Sequence, residues 1–325
     1  MPHIDSTENT PTNYLCRLDN KGLIELTGEE RLKYLQGQVT ANLEQLNADG
    51  ALLSCHCDFK GKTWNVFYAL QHQDAILMLS HQESIPGSIA ELKKFGVFAK
   101  VDIQDRTEQW RCLGGAGAEI EALIKHKFAG LPSAHQQVLS NELGLVMCLT
   151  APCKRYLLLL NTKAAESFIN EYQGELSPAV LWEQYDIQAG IPEIRSATSK
   201  EFVPQMMNLQ ALDAISFSKG CYMGQEVVAR TKFLGKNKRA AFILLAEQAA
   251  EITPGDALES QAGENWRRGG TVLRVASPAQ EVQHAPQQTW ILAVLANDTE
   301  MGATLRLKAQ PQLQFKVQSL PYSLE

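Results

Sequence analysis

One cysteine in the segment SFSKGCYMGQEVVART, residues 216–231, is the side chain best placed for chemistry in this chain. Cys221 lies two residues after Lys219 and three before Gly224, and a helix beginning at Gly224 would place the thiol just before a helix N-terminus. The positive end of the helix dipole and the Lys219 ammonium would both favour the thiolate, the nucleophilic and metal-binding form of cysteine. Taken alone, these residues fit an ordinary turn cysteine equally well.

Neither of the two candidate glycine-containing segments of this chain matches the pattern of a nucleotide-binding loop. The spacing from Gly220 to Gly224 differs from that of a P-loop and lacks its trailing lysine. In LGGAGAEIEALI, residues 113–124, Ile120 stands where a dinucleotide-binding pattern starting at Gly115 requires glycine. We interpret this second segment as a tight turn between a strand and a helix.

The triplet Cys55-His56-Cys57 has metal-binding residue types but not a metal-binding arrangement. Alternate residues of a strand share a face, so the two thiols and the imidazole point to opposite sides. No second pair of cysteines or histidines occurs at metal-site spacing to complete a tetrahedral set. We therefore expect strand packing here and no metal site.

The composition predicts a folded protein of two or three domains. The chain has 325 residues, more than one hydrophobic core usually serves, and 45% of them are hydrophobic. Its net charge of −6 argues against a basic surface as a whole, so an RNA contact needs a local patch. TKFLGKNKR, residues 231–239, and Trp266-Arg267-Arg268 combine cations with aromatic residues and are candidates for direct tRNA binding. A solvated basic loop is the more frequent explanation of such segments.

The chain shows none of the sequence features of a secreted or membrane protein. Its start, MPHIDSTENTPTN, lacks the basic and apolar stretches of a signal peptide. The apolar runs are far shorter than the roughly 20 residues of a membrane helix. The seven cysteines are irregularly spaced, unlike a secreted disulfide framework. We expect a cytoplasmic protein without membrane contact.

Hydrophobic patterning predicts mixed helices and strands in the first part of the chain. Residues 27–40, TGEERLKYLQGQVT, predict a helix capped by Thr27 with acids in its first turn. Residues 52–59 and 62–70 predict two paired strands, and residues 97–103 predict another strand.

The C-terminal region has a different pattern. Residues 179–189 predict a helix that ends at Gly190 and Pro192. After about residue 238 the sequence consists of strand patterns separated by turns. This region predicts a small antiparallel β-barrel as the C-terminal domain.

The motif KGCYMGQE, residues 219–226, closely resembles the K-G-C-Y-x-G-Q-E signature of the YgfZ family. Members of this family are folate-binding proteins linked to tRNA modification and are relatives of the glycine-cleavage aminomethyltransferase. Further stretches resemble the family in the same order: TGEERLKYLQGQVTANL, CHCDFKGKTW, ELKKFGVFAKV, FVPQMMNLQALDAISFSKGC and GENWRRGGTVL. The motif residues that we expect at a functional site are Lys219, Gly220, Cys221, Tyr222, Gly224, Gln225 and Glu226.

The resemblance implies an α+β fold, an aminomethyltransferase-like ring of two interleaved α+β domains closed by a C-terminal β-barrel. It implies domains at residues 1–135, 136–237 and 238–325, with the motif in the second domain. Tetrahydrofolate or another reduced folate would bind in the central hole.

The resemblance also implies an accessory role. The protein would support iron–sulfur enzymes, notably the enzyme that methylthiolates tRNA, with a link to the control of replication initiation and with Cys221 as a functional thiol. Two alternatives stay open, a folate-dependent one-carbon transferase for aminomethyl or formaldehyde units and a direct tRNA-binding module. The motif establishes no catalytic set, so it does not decide whether the protein is an enzyme.

The resemblance assigns folate contacts to four residues. Trp182 matches a family tryptophan that contacts folate, for which an indole face is a suitable platform. Lys21 replaces a second family tryptophan and could pair with the glutamate tail of folate, although an ordinary exposed lysine is the simpler interpretation. Gln188 stands where relatives carry glutamate, and its amide offers one acceptor group where a carboxylate offers two. Asp58 is the best remaining carboxylate near the expected pocket, or else a turn aspartate bonded to its own backbone.

Overall fold

A computed structural model describes residues 13–235, 237–278 and 288–324 of the protein. The polar start of the chain up to residue 12 and Lys236 of the basic segment lie outside the described residues. The strands, in chain order, are β1 Tyr14–Arg17, β2 Lys21–Thr27, β3 Leu52–Cys57, β4 Thr63–His72, β5 Ala75–His81, β6 Asp102–Asp105, β7 Trp110–Ala116, β8 Val138–Asn141, β9 Gly144–Leu149, β10 Arg155–Asn161, β11 Arg239–Ala246, β12 Ala257–Ala262, β13 Asn265–Ala276, β14 Thr289–Ala296, β15 Thr304–Leu307 and β16 Gln310–Gln318. The α-helices are α1 Arg31–Gln36, α2 Ile85–Phe95, α3 Ala118–Phe128, α4 Thr162–Glu171, α5 Val180–Gln188 and α6 Gln225–Phe233.

The strands form two open sheets and one closed barrel. Sheet A has the order β1-β7-β10-β9-β8, sheet B has the order β3-β4-β5-β2-β6, and all their pairings are antiparallel. The chain therefore leaves sheet A after β1, builds sheet B and returns to sheet A at β7. Strands β5 and β9 are buried along their whole length, since both faces of each sheet are covered.

Each sheet has helices on its outer face and packs through its inner face. Helices α3 and α4 bury Ile124 and Phe168 against sheet A, and α1 and α2 bury Leu35 and Leu92 against sheet B. The inner faces share one apolar cluster, at whose centre lies Trp182 of α5. Among the helices that the structure describes, none is long and apolar enough to cross a membrane.

Strands β11 to β16 close the predicted C-terminal barrel, in the order β11-β14-β13-β12-β15-β16. The barrel closes where Leu244 of β11 pairs with Val317 of β16. In β16 the side chains of Leu313, Phe315 and Val317 alternate with exposed residues and fill the interior. The sequence prediction of an antiparallel barrel is thus confirmed.

Two predictions in the first part of the chain are wrong in detail. Helix α1 begins only at Arg31, without a side-chain cap, and Thr27 ends strand β2. The Glu30 carboxylate instead accepts a hydrogen bond of 2.9 Å from the backbone N–H of Lys100. Residues 97–101 consequently form a turn against the start of α1, and the strand predicted there is confined to β6. The predicted helix over residues 179–189 and the strand pair β3–β4 are confirmed.

Sheet B, helices α5 and α6 and the barrel meet in a second apolar cluster, which we call the central core. It contains Cys55 and Cys57 of β3, Ile187 of α5, Val228 of α6 and Ile243 of β11. Helix α5 contributes Ile187 to this core and Trp182 to the cluster between the two sheets, so it packs against both sheets and the barrel.

Burial of His56 predicts acid sensitivity. Its ring is 1% exposed, its Nδ1 lies 3.0 Å from Ser88 Oγ, and burial lowers the pKa of the imidazole to about 4. Between pH 6.5 and 4 the unfolded chain binds a proton here that the folded protein does not bind. Stability is therefore complete above pH 6.5 and falls as the pH drops, by about 1.4 kcal/mol per pH unit from this group.

Urea unfolding from pH 7.5 to 4.5 checks this expectation. His56→Gln can keep a hydrogen bond to Ser88, and we expect it to reduce the pH dependence of the free energy of unfolding by about one proton. Identical slopes in the variant and the parent protein would contradict the assignment.

Candidate functional site

Helix α5 carries two buried carboxylates, Glu183 and Asp186, that face the barrel. Arg274 of β13 reaches both, with 2.8 Å from its Nη2 to Glu183 Oε2 and 2.7 Å from Nη2 to Asp186 Oδ2. Its Nη1 also donates to the carbonyl oxygen of Ile191 at 3.0 Å. A register shift between Val272 and Arg274 in the β13–β14 pairing turns the guanidinium out of the barrel wall towards α5.

Arg155, the first residue of β10, binds the other side of Asp186. Its Nη2 donates to Asp186 Oδ1 at 2.6 Å, and its guanidinium carbon lies 4.8 Å from the centroid of the Trp182 ring. On a fully buried arginine this arrangement combines an ion pair with a cation–π contact. Asp186 thus bridges two guanidinium groups, one from sheet A and one from the barrel.

Lys21 and Glu193 form a third buried pair. The Lys21 Nζ lies 2.5 Å from Glu193 Oε2, and the two side chains are 9% and 5% exposed. Burial alone would raise the pKa of Glu193, but the charges of Lys21 and Arg274 outweigh it and hold that pKa well below its usual range. Lys21 is therefore not the exposed lysine that the sequence favoured.

We call these six residues the ion cluster: Lys21, Arg155, Glu183, Asp186, Glu193 and Arg274. Among these six residues three cations balance three carboxylates, and the partly exposed Arg195 adds a contact of 3.3 Å from its Nε to Glu193 Oε1. Such balance is needed because an unpaired buried charge costs several kcal/mol. Most of these charged groups therefore bind one another and few are left for a ligand, while Arg155 Nε has no hydrogen-bond partner among the described residues.

Two neighbouring cavities lie near the ion cluster. The inner cavity has a volume of about 30 Å³ and is lined by Lys21, Trp182 and Arg274 among others. The outer chamber measures about 310 Å³ and contains His135, Asp213 and Tyr322 in its walls. The residues common to both cavities are Leu53, Tyr68 and Ile191.

The four residues assigned to folate by resemblance lie in different places. Trp182 and Lys21 line the inner cavity, where Trp182 is fully buried. Gln188 ends α5 and is not among the residues that line either cavity. The Asp58 carboxylate accepts hydrogen bonds from the backbone N–H groups of Lys60 at 2.8 Å and Lys62 at 2.9 Å, so it stabilises its own turn.

Sequence reasoning missed Asp213 and most of the ion cluster. The spacing of Glu183 and Asp186, three residues apart on a helix with apolar neighbours, was the available signal for a shared buried face. Arg274 within the apolar run TVLRVA was a second signal. Asp213 carried no signal, because only the fold brings its loop to the outer chamber.

The thiol motif is built around Lys219. Its Nζ donates to three backbone carbonyls, those of Gln36 at 2.6 Å, Val39 at 2.9 Å and Ala41 at 2.7 Å. Burial lowers the pKa of this ammonium to about 8, which leaves it charged at neutral pH. Lys219 therefore fixes the motif to the segment after α1 and uses all three of its donors to do so.

Cys221 is exposed, and the residues after it are held in place. Helix α6 begins after Gly224, as the sequence predicted, and Gly224 has a φ of 83°. A Cβ at that position would clash with the carbonyl oxygen of Asp58, so the turn after β3 and the motif pack backbone against backbone. The thiol is not among the residues that line the inner cavity or the outer chamber.

The buried thiols of β3 lie behind the motif. Cys55 Sγ and Cys57 Sγ are 3.5 Å apart on one face of the strand, and His56 points to the other face, as predicted. Burial, together with these two thiols, raises the pKa of the Tyr222 phenol. Over the part of the chain that the structure describes, no group of three or more His, Cys, Asp or Glu side chains is arranged to hold a metal ion.

Replacement of Lys219 tests its role in fixing the motif. We expect Lys219→Met to lower the free energy of unfolding by about 2 kcal/mol or more, because three carbonyls lose a charged donor. It should also speed hydrogen exchange at the Met223 amide, which donates to the Gly37 carbonyl at 3.0 Å. The exposed Lys238→Met is the matched control, and equal effects of the two substitutions would contradict this role.

Comparison with known proteins identifies relatives over nearly the whole chain. The family model described as YgfZ, beta-barrel domain, matches residues 237–310. The chain is 40% identical over 312 residues to the tRNA-modifying protein YgfZ of Serratia proteamaculans (strain 568), covering 95% of this chain and 92% of the relative. It is 38% identical, with the same coverage, to the tRNA-modifying protein YgfZ of Yersinia pestis (strain Pestoides F).

A solved structure shows the same fold at low sequence identity. The glycine cleavage system aminomethyltransferase T from Bartonella henselae superposes with a TM-score of 0.71 and 13% identity, over 96% of this chain and 87% of that one. The likeness extends through both sheets and the barrel, so the aminomethyltransferase-like α+β fold predicted by resemblance is confirmed. With its curated relatives and its barrel in agreement, the chain belongs to the YgfZ family.

Proposed function

We propose that this protein binds a reduced folate in the outer chamber and supports tRNA modification through an exposed thiol, as an accessory to iron–sulfur enzymes. The single observation that carries the proposal is a ligand-sized chamber beside α5 in a fold shared with an aminomethyltransferase. The printed names of the relatives, tRNA-modifying proteins, support the second part.

The sizes of the two cavities favour the outer chamber for the ring system of folate. The inner cavity, at about 30 Å³, has room for water but not for a pterin. The outer chamber, at about 310 Å³, lies at the lower end of the range for small-molecule sites. Trp182 Nε1 is a buried donor without a hydrogen-bond partner among the described residues, and it would suit a ligand or water that extends inward.

Asp213 is the carboxylate best suited to a pterin. It is exposed within the chamber wall and has a φ of 54°, in the left-handed region. A carboxylate accepts two hydrogen bonds from the adjacent N–H groups of a pterin, the role that relatives would give to glutamate at Gln188. We therefore assign pterin recognition to Asp213, with Tyr68 and Tyr322 as the apolar walls.

The ion cluster would support the site without binding the folate tail. Lys21 and Arg274 are neutralised by Glu193, Glu183 and Asp186, so a carboxylate tail gains little by approaching them. The tail would remain at the chamber opening in water. Lys21 and Trp182 would then stabilise the wall of the inner cavity.

The Cys221 thiol would contact a partner molecule, and the folate would bind separately in the chamber. Cys221 is exposed and does not line the chamber, so a partner can approach it from outside while folate stays bound. This arrangement favours an accessory protein that acts on another macromolecule. It gives less support to a one-carbon transferase, whose nucleophile would have to reach the folate.

Titration with tetrahydrofolate tests the chamber. We expect micromolar binding by the parent protein and a rise in Kd of about tenfold for Asp213→Asn, since one charged acceptor is lost. Asparagine tolerates the left-handed backbone, so the fold should be kept. Asp298→Asn, an exposed carboxylate on the barrel, is the control. An unchanged Kd in Asp213→Asn would remove Asp213 from the site, and absence of binding to the parent would overturn the folate proposal.

Cys221→Ser tests the separation of the two functions. We expect its folate Kd to stay within about twofold of the parent value, because the side chain lies outside the chamber. We also expect loss of tRNA methylthiolation when it replaces the parent protein in a strain that depends on it. Cys153→Ser, at a half-buried free thiol outside the motif, is the control. Full activity of Cys221→Ser would contradict a functional thiol.

A further inference from the structure

A second, larger cleft lies on the other side of Asp213 from the chamber. It has a volume of about 680 Å³ and opens between the 3-10 helix at residues 204–207, helix α6 and the start of the barrel. This cleft is large enough for a nucleotide, and apart from Asp213 it is lined neither by the proposed folate contacts nor by Cys221. From its rim, walls and charge we propose that the cleft binds an unpaired nucleotide of an RNA chain. The inference goes beyond folate binding and does not depend on it.

The rim carries an aromatic and cationic platform. The Lys232 Nζ lies 3.7 Å from the centroid of the Phe217 ring, and the Phe217 and Phe233 rings meet edge to face at 6.3 Å. Phe233 is 70% exposed on α6 and the next residue, Leu234, is 58% exposed. Exposed phenylalanine is costly in water but suited to stacking against a base, which is how proteins usually hold single-stranded nucleic acid.

The walls present hydrogen-bond acceptors. Gln205 is 2% exposed, and its Nε2 donates to the Val228 carbonyl at 2.5 Å, which fixes the amide so that Oε1 is the remaining group. Oε1 of Gln205 and Oε1 of Gln210 have no hydrogen-bond partner within the described ranges, and both residues line the cleft. Buried amide oxygens without a donor favour a ligand with N–H groups. The amino groups of adenine, guanine and cytosine are such donors.

Local charge favours a polynucleotide over a free base. The chain has a net charge of −6, yet Arg230, Lys232, Lys238 and Arg239 follow one another along α6 and into β11. Arg230 is paired with Glu226 at 2.8 Å, and the other three cations lie beyond that pair. Lys232 lines the cleft itself, and the exposed Lys238 and Arg239 follow it in sequence, so this basic segment could contact more than one phosphate of a polynucleotide. The sequence had marked this segment for tRNA, and the cleft supplies the place for a base.

Fluorescence anisotropy with two labelled RNAs tests the proposal. One probe is a hairpin with a seven-nucleotide unpaired loop, and the other is a blunt duplex with the same stem sequence. We expect the hairpin to bind more tightly than the duplex, and Phe233→Ala to weaken hairpin binding by about tenfold, as loss of one stacked base does. Lys232→Gln should reduce the slope of log K against log salt by about one, as for one lost phosphate contact.

The controls separate this cleft from other surfaces. Phe98→Ala removes a fully exposed phenylalanine elsewhere, and Arg267→Gln alters the second basic segment of the sequence. Both should bind the hairpin like the parent protein. Equal binding of hairpin and duplex, equal effects of Phe233→Ala and Phe98→Ala, loss of binding only in Arg267→Gln, or no binding at low salt would each overturn the proposal.

Folate titration of the same variants keeps the two proposals apart. Phe233→Ala and Lys232→Gln should leave the Kd for tetrahydrofolate unchanged, while Asp213→Asn raises it. If Phe233→Ala weakens folate and leaves the hairpin unaffected, the cleft is part of the folate site and the RNA inference is wrong. Hairpin binding without folate binding would sink the folate proposal alone.

Discussion

The guanidinium of Arg274 connects the barrel to the rest of the molecule, and the central region depends on this contact. It brings a charge from β13 into a buried space where two carboxylates of α5, Glu183 and Asp186, and the nearby Glu193 balance it. Asp186 is shared with Arg155 of sheet A, so one side chain of α5 couples sheet A to the barrel. Removal of any member would leave an uncompensated charge in a buried region, and this cost favours the one arrangement in which the parts pack.

The ion cluster also shapes the chamber next to it. Because the charged groups of the ion cluster bind one another, they offer few hydrogen bonds to a ligand. A ligand in the chamber must therefore bind other residues. Asp213, on a loop outside the cluster, then becomes the free carboxylate of the outer chamber. Asp213 also borders the larger cleft, so one loop separates a folate-sized space from a nucleotide-sized one.

The residues of the motif around Cys221 have separate structural roles that are not evident from the sequence. Lys219, which precedes the thiol closely enough to suggest activation, is instead occupied by three carbonyls of the segment after α1. Gly224 allows close packing on the turn after β3, and Tyr222 covers the buried thiols of β3. The other motif residues thus mainly hold Cys221 at the surface, where its thiol is exposed.

The sequence by itself determined the features that depend on neighbours along the chain. The barrel followed from alternating strand patterns, the start of α6 from Gly224, and the opposite faces of Cys55 and His56 from strand geometry. The family motif, which is also local, predicted the aminomethyltransferase-like fold.

Only the tertiary structure decided where the charged side chains go. Lys219 and the Gln36 carbonyl are 183 residues apart in sequence, and Lys21 and Glu193 are 172 apart. A lysine or arginine gives no local sign of whether it will meet water or a buried acceptor, since that choice is made by packing between distant elements. For the same reason, the ion cluster and the position of Asp213 were not predicted. A cavity is formed by surfaces from several distant segments and not by any one of them.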